Sequence, residues 1–288
     1  MMKRRNLLKA LAAPALTLLP RVGNAGVSHG NSTPPPASPV VLDGTQDNFA
    51  TYNIFNGTQG PYWINLNLFN VGALEGYTFT ATAFPSTFPV ATQFAWSWPT
   101  PASILYGYPE IVFGTQGGGN FGDGPANQPP PKQINNLGTV SLTYNMTLTT
   151  QSVNDTSYLI ETWAQTTPGN PATNTVEILF YAFATPAVSS FILAMPVNFN
   201  YSVGGFNVYF AFPNSGQVYM MPVTSPGGTT ARDMTSGTFT IDFAALITAA
   251  LNQGWLTGTN YINGYEIGFE TREGTGGVTF NQISWNWS

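Results

Sequence analysis

From residue 42 onward, apolar and polar positions alternate with a period of two. The segments "YTFTATAF" (77–84), "TVSLTYNMTL" (139–148), "FNVYFAF" (206–212) and "GQVYMMPV" (216–223) all carry this pattern, and Gly, Pro and Asn turns separate them. Period two is the signature of a strand with one face toward a core. One segment breaks it. "TIDFAALITAALNQGW" (240–255) is rich in Ala and Leu, which predicts a helix with Thr240 as its N-cap, Asp242 in its first turn and Gly254 as its stop. One helix among many strands predicts an all-β sandwich of two antiparallel sheets with a helix packed on its convex side.

Composition narrows the chemistry. Of 288 residues only 7% are charged, while 14% are aromatic, with 30 Gly and 23 Pro. That length is enough for one large β domain, and no repeat or second linker interrupts residues 42–288. Lys3, Arg4, Arg5, Lys9 and Arg21 lie in the first 25 residues; beyond them only Lys132, Arg232 and Arg272 stand against 13 acids. Such a surface offers no basic stripe for phosphates, which excludes nucleic acid and favours a neutral partner. With no Cys there is no thiolate nucleophile or cysteine metal site. The single His, His29, sits in the Pro/Ser-rich stretch 26–41, which reads as a linker. Any catalysis therefore falls to carboxylates.

The N-terminus, "MMKRRNLLKALAAPALTLLPRVGNA", has a basic head, a short apolar stretch and small residues at its end. Residues 1–25 read as a signal peptide, too short and interrupted to anchor the chain in a membrane. Arg4 and Arg5 resemble a twin-arginine export signal, with an ordinary secretion signal as the alternative. A secreted or periplasmic location follows from either, and a monomer is expected.

Two strands carry acids where alternation predicts a shared face. In "NTVEILFYAF" (174–183), Val176, Ile178, Phe180 and Ala182 face one way, and Glu177, Leu179, Tyr181 and Phe183 the other. In "NYINGYEIGFETREG" (260–274), Tyr265, Ile267 and Phe269 share one face, and Glu266, Gly268 and Glu270 the opposite one. Glycine inside a strand marks a close approach of backbone or ligand, so this second face has the character of a groove floor. A solvated polar face is the plain alternative. Two glutamates flanking a sugar bond are what glycoside cleavage requires, one as acid and one as attacking carboxylate.

At these residues the sequence resembles glycoside hydrolase family 12, the β-jelly-roll endoglucanases and xyloglucanases, over roughly residues 47–288. Glu177-Ile178-Leu179-Phe180-Tyr181 is similar to the family's nucleophile strand, and Ile267-Gly268-Phe269-Glu270 to its acid/base strand. The resemblance implies a jelly roll with a concave substrate cleft and a secreted endo-β-1,4-glucanase without metal or organic cofactor. It further implies retaining double displacement, with Glu177 as nucleophile, Glu270 as acid/base and Glu161 of "SYLIETW" as the assisting acid. "YWINLNLFN" matches the family's early cleft segment and assigns Asn67 and Phe69 to sugar binding. "AWSWP" and "GYPEIVFG" nominate Trp98 and Tyr108, and Leu179, Tyr181 and Glu266 complete the expected substrate-binding face. Leu179, Tyr181 and Phe69 replace Met, Trp and Trp of the family pattern, so the stacking surface differs. The rival readings are a family 11-like xylanase and a non-catalytic glycan-binding β-sandwich.

Overall fold

The computed structural model describes residues 38–53, 62–72, 74–98, 105–114, 129–150, 156–213, 216–271 and 274–288. The expected signal peptide, His29, most of the linker and Arg272 lie outside the described residues.

The alternating segments form strands. In chain order the first are β1 (Val40–Asp43), β2 (Thr51–Asn53), β3 (Tyr62–Asn65), β4 (Thr78–Ala83), β5 (Thr92–Trp98) and β6 (Glu110–Gly114). Next come β7 (Lys132–Gln133), β8 (Val140–Thr150), β9 (Thr156–Gln165), β10 (Asn174–Ala184), β11 (Val197–Val203) and β12 (Phe206–Phe212). The last are β13 (Gln217–Val223), β14 (Thr238–Asp242), β15 (Tyr261–Ile262), β16 (Gly264–Thr271) and β17 (Gly274–Trp287). Among the described residues two α-helices interrupt them, α1 (Pro186–Leu193) and α2 (Phe243–Asn252).

The smaller sheet runs β1-β4-β5-β17-β8-β14. The larger runs β11-β12-β13-β10-β9-β16-β6-β3-β2, with β15 joining β7 to β9. Between the sheets lies an aromatic core. Phe269 of the large sheet stacks on Trp96 of the small one at 4.6 Å, and Tyr265 on Trp285 at 4.2 Å. The buried rings of Phe269, Trp96 and Tyr265 each contribute about 1.5–3 kcal/mol relative to exposure, and offset stacking adds to that.

Four expectations are corrected. The sandwich is not wholly antiparallel: β10 and β13 pair in parallel, with Glu177 opposite Gln217. There is a second helix, α1, which begins at Pro186 and packs Val188 and Ile192 against Leu179, Tyr181, Tyr219 and Met221. It therefore covers the opposite face of the large sheet from α2, whose Phe243 packs in the core against Phe180 and Tyr265. The N-cap of α2 is Asp242, whose Oδ1 accepts the Ala245 N–H at 2.9 Å; Thr240 stays in β14 and its hydroxyl meets that of Thr143. A carboxylate accepts that N–H more strongly than a hydroxyl would, and it also favours the positive end of the helix. Finally, a register shift between Tyr181 and Phe183 turns Phe183 onto the core, where its ring meets Tyr158 at 6.0 Å. One extra residue in a ladder reverses the faces of everything beyond it. Gly254, with φ of 73°, ends α2 as expected.

Candidate active site

Alternation places Glu177 on the face of the large sheet away from the core, since Val176, Ile178 and Phe180 turn inward. Glu177 is 3% exposed. Its Oε2 accepts a short hydrogen bond from Gln217 Nε2, and Gln217 Oε1 in turn accepts the Tyr219 hydroxyl at 2.8 Å. The Glu177 N–H donates to the Gly216 carbonyl at 2.9 Å. A buried carboxylate needs such donors to offset its desolvation.

Cross-strand register brings the other acids into rows. Leu179, Glu161, Glu266, Val112 and Trp63 lie side by side across five strands. The next row holds Tyr181, Leu159, Gly268, Glu110 and Asn65. Glu161 and Glu266 are thus directly opposite, and both are buried. Glu177 occupies the row of Trp163, two residues from Glu161 along β9. Glu270 lies beside Ser157, whose Oγ donates to its Oε2 at 3.2 Å. Glu177 and Glu270 therefore stand six residues apart along β9, about 20 Å of extended strand, with the two rows above between them. Register alone does not bring these two carboxyls side by side.

The close approach expected at Gly268 is present, but it is made by the chain's own backbone and the Tyr108 ring, which cover the glycine in place of an open groove floor. A Cβ there would lie 2.4 Å from the Pro109 carbonyl and 2.8 Å from the Tyr108 ring. Tyr108 itself is 1% exposed, and its hydroxyl donates to the Leu159 carbonyl at 3.1 Å. Burial, with the charges of Glu161, Glu110, Glu266 and Glu270 around it, holds its phenol well above the usual tyrosine range. Tyr108 is a buried ring over the second acid-bearing strand, not the open platform expected. Leu179 and Tyr181 are on the expected face but packed under α1, Tyr181 stacking on Tyr219. Phe69 joins the same cluster half-buried.

Trp98 corrects the sequence expectation outright. It belongs to the core, stacked on Tyr106 at 4.6 Å and on Tyr77 at 5.5 Å, because β5 turns Phe94, Trp96 and Trp98 inward together.

Asn67 lies just beyond β3 with φ of 44°, a left-handed conformation that Asn tolerates. Its Nδ2 donates to Glu110 Oε1 at 3.3 Å, as does Asn65 Nδ2 at 3.2 Å.

Three residues of this face escaped sequence reasoning. Glu110 and Asn65 were legible in principle, since alternation in "GYPEIVFG" and "YWINLNLFN" puts them in step with Tyr108 and Asn67. Gln217 was not, because nothing local says that its strand runs parallel to β10. Among the described residues, no group of three or more acids or His is arranged to hold a metal.

No family model and no curated protein matches the sequence. Solved structures do match its fold. A native family 12 xyloglucanase from Bacillus licheniformis aligns with 86% of this chain and 100% of its own, at TM-score 0.65 and 15% identity. Endoglucanase 3 of Trichoderma harzianum, also of family 12, aligns over 83% and 99% at TM-score 0.58 and 15% identity. The Humicola grisea catalytic domain, solved with a soaked thio-cellotetraose, aligns over 86% and 98% at TM-score 0.62 and 11% identity. The chain has the jelly-roll fold of the family 12 glycoside hydrolases.

Proposed function

We propose that this protein is an exported glycoside hydrolase that cleaves internal β-1,4-glucosidic bonds of glucans. The observation that carries the reading is a family 12 fold with Glu177, Glu161, Glu266 and Glu270 on the face of the large sheet turned away from the core. Glu177 would attack the anomeric carbon while an acid of the same face, Glu270 by the sequence resemblance or Glu266 by register, gives its proton to the departing glycosidic oxygen; water would then release the sugar as that acid takes the proton back. Glu161, diagonal to Glu177, would hold its charge and rotamer. The low charge of the chain suits a neutral polysaccharide.

The register supports a second assignment of the acid. Glu266 is two residues from the Glu177 row, against six for Glu270. Reducing-sugar release from carboxymethylcellulose, barley β-glucan, xyloglucan and xylan tests the activity itself; release from xylan alone would favour the xylanase reading, and no release the binding module. The acid is then identified with Glu270→Gln and Glu266→Gln on two substrates. Losing the true acid abolishes cleavage of β-glucan but spares kcat/KM for a dinitrophenyl cellobioside, whose leaving group needs no proton, while kcat falls because the second step has lost its base. Proton NMR of the first product should show the β-anomer, as double displacement requires; the α-anomer first would remove Glu177 as nucleophile.

A further inference from the structure

We infer that Glu110 is a positioning residue, which turns the Asn67 side chain so that only its carbonyl oxygen is presented to a sugar hydroxyl. The inference rests on the glucan reading above.

The Asn67 backbone is fixed from three sides. Its N–H donates to Asn65 Oδ1 at 3.1 Å, and its carbonyl accepts the Tyr108 N–H at 3.1 Å. Gly107 presses close, since a Cβ there would lie 2.6 Å from the Asn67 carbonyl oxygen. What stays free is the side-chain amide, whose two ends are nearly equal in shape and opposite in function. Glu110 removes that freedom. It is wholly buried in the row of Gly268, and the oxygen that receives both Asn67 Nδ2 and Asn65 Nδ2 acts as an acceptor. Asn65 cannot turn over either, because its Oδ1 is engaged by the Asn67 N–H. With Nδ2 held inward, Asn67 Oδ1 is the end left for a ligand, and an acceptor there selects a hydroxyl donor. A site built to accept a hydroxyl rejects a substrate lacking it, so Glu110 acts on binding through Asn67 without itself reaching the substrate.

The test is an exchange of the two groups. Asn67→Asp sets one carboxylate against another and should raise KM for cello-oligosaccharides about tenfold, the worth of one good hydrogen bond, with kcat little moved. Asp also tolerates the left-handed backbone at this position. Glu110→Gln lets the Asn67 amide adopt either orientation and should raise KM less. The double variant Glu110→Gln/Asn67→Asp restores one donor facing one acceptor and still presents an oxygen outward. Its KM should return to near the starting value although each single change raised it. Additive or worse losses in a double variant that melts like the original protein would overturn the inference. A second readout needs no sugar. The side-chain amide signal that disappears in Asn67→Asp should shift in Glu110→Gln, and an unmoved signal would overturn the inference as well. If the original protein binds no cello-oligosaccharide, the glucan reading falls while this spectrum still decides whether Glu110 orients Asn67.

Discussion

Gln217 is the parallel-strand neighbour of Glu177 and donates its side-chain amide to the carboxylate. The donor end faces Glu177 because Tyr219 gives its hydroxyl to the other end. A hydrogen bond to a charged group contributes about 1.5–3 kcal/mol, so Gln217→Leu should lower kcat/KM on β-glucan by roughly 10- to 100-fold. Tyr219→Phe leaves the amide in place but free to turn, and the loss should be smaller. A Gln217→Leu enzyme with undiminished kcat/KM would show that this contact does not support the reaction.

Glu177→Gln should leave the fold intact and bring hydrolysis below detection, since an amide cannot form the glycosyl ester. Glu161→Gln removes only a neighbour of the reacting group and should retain measurable turnover. Rates of the two purified variants, with melting curves to confirm folding, rank the roles; equal losses would make Glu161 a reacting group.

Trp98→Ala should behave as a core mutation. It deletes a ring stacked on Tyr106 and Tyr77 and should cost about 3–5 kcal/mol, read as a lower denaturation midpoint. Trp98→Phe should recover much of that. Oligosaccharide affinity of the folded Phe variant should match the original, whereas a weakened affinity at full stability would return Trp98 to the binding surface.

High pH should unfold the protein through its buried phenols. Burial pushes Tyr62 up to about 12, outweighing the opposing hydrogen bond from the Trp285 N–H, and burial also raises Tyr158 and Tyr265. The unfolded chain releases these protons near pH 10 while the folded one keeps them, so the unfolded state binds fewer protons in this window and stability falls as pH rises. For Tyr62 the loss runs from about pH 10 to about pH 12. Phenolate absorbance followed together with circular dichroism should show a late group of tyrosines titrating with loss of structure. Full ionisation by pH 11 in a folded protein would contradict this placement.

The division of each strand into two faces was readable from its residues. Alternation put Glu177 opposite Val176 and Ile178, and Glu266, Gly268 and Glu270 opposite Tyr265, Ile267 and Phe269, and the structure keeps both divisions. This is legible because the period of two belongs to each extended strand alone. The all-β class, the helix at 243–252 and its stop at Gly254 were readable for the same local reason. Neighbours across strands were not readable in this way. Gln217 reaches Glu177 across 40 residues of chain, and Glu110 reaches Asn67 across 43, through pairings that no local pattern encodes. Trp98 and Phe69 are both aromatic residues near acid-bearing segments, yet one is sealed between the sheets and the other lies half-buried on the acid face. Which sheet a strand joins, and where a bulge such as that before Phe183 reverses its faces, depends on the ladder it enters. A strand carries its own pleat, but its partners and register are settled by the packing of the whole sheet.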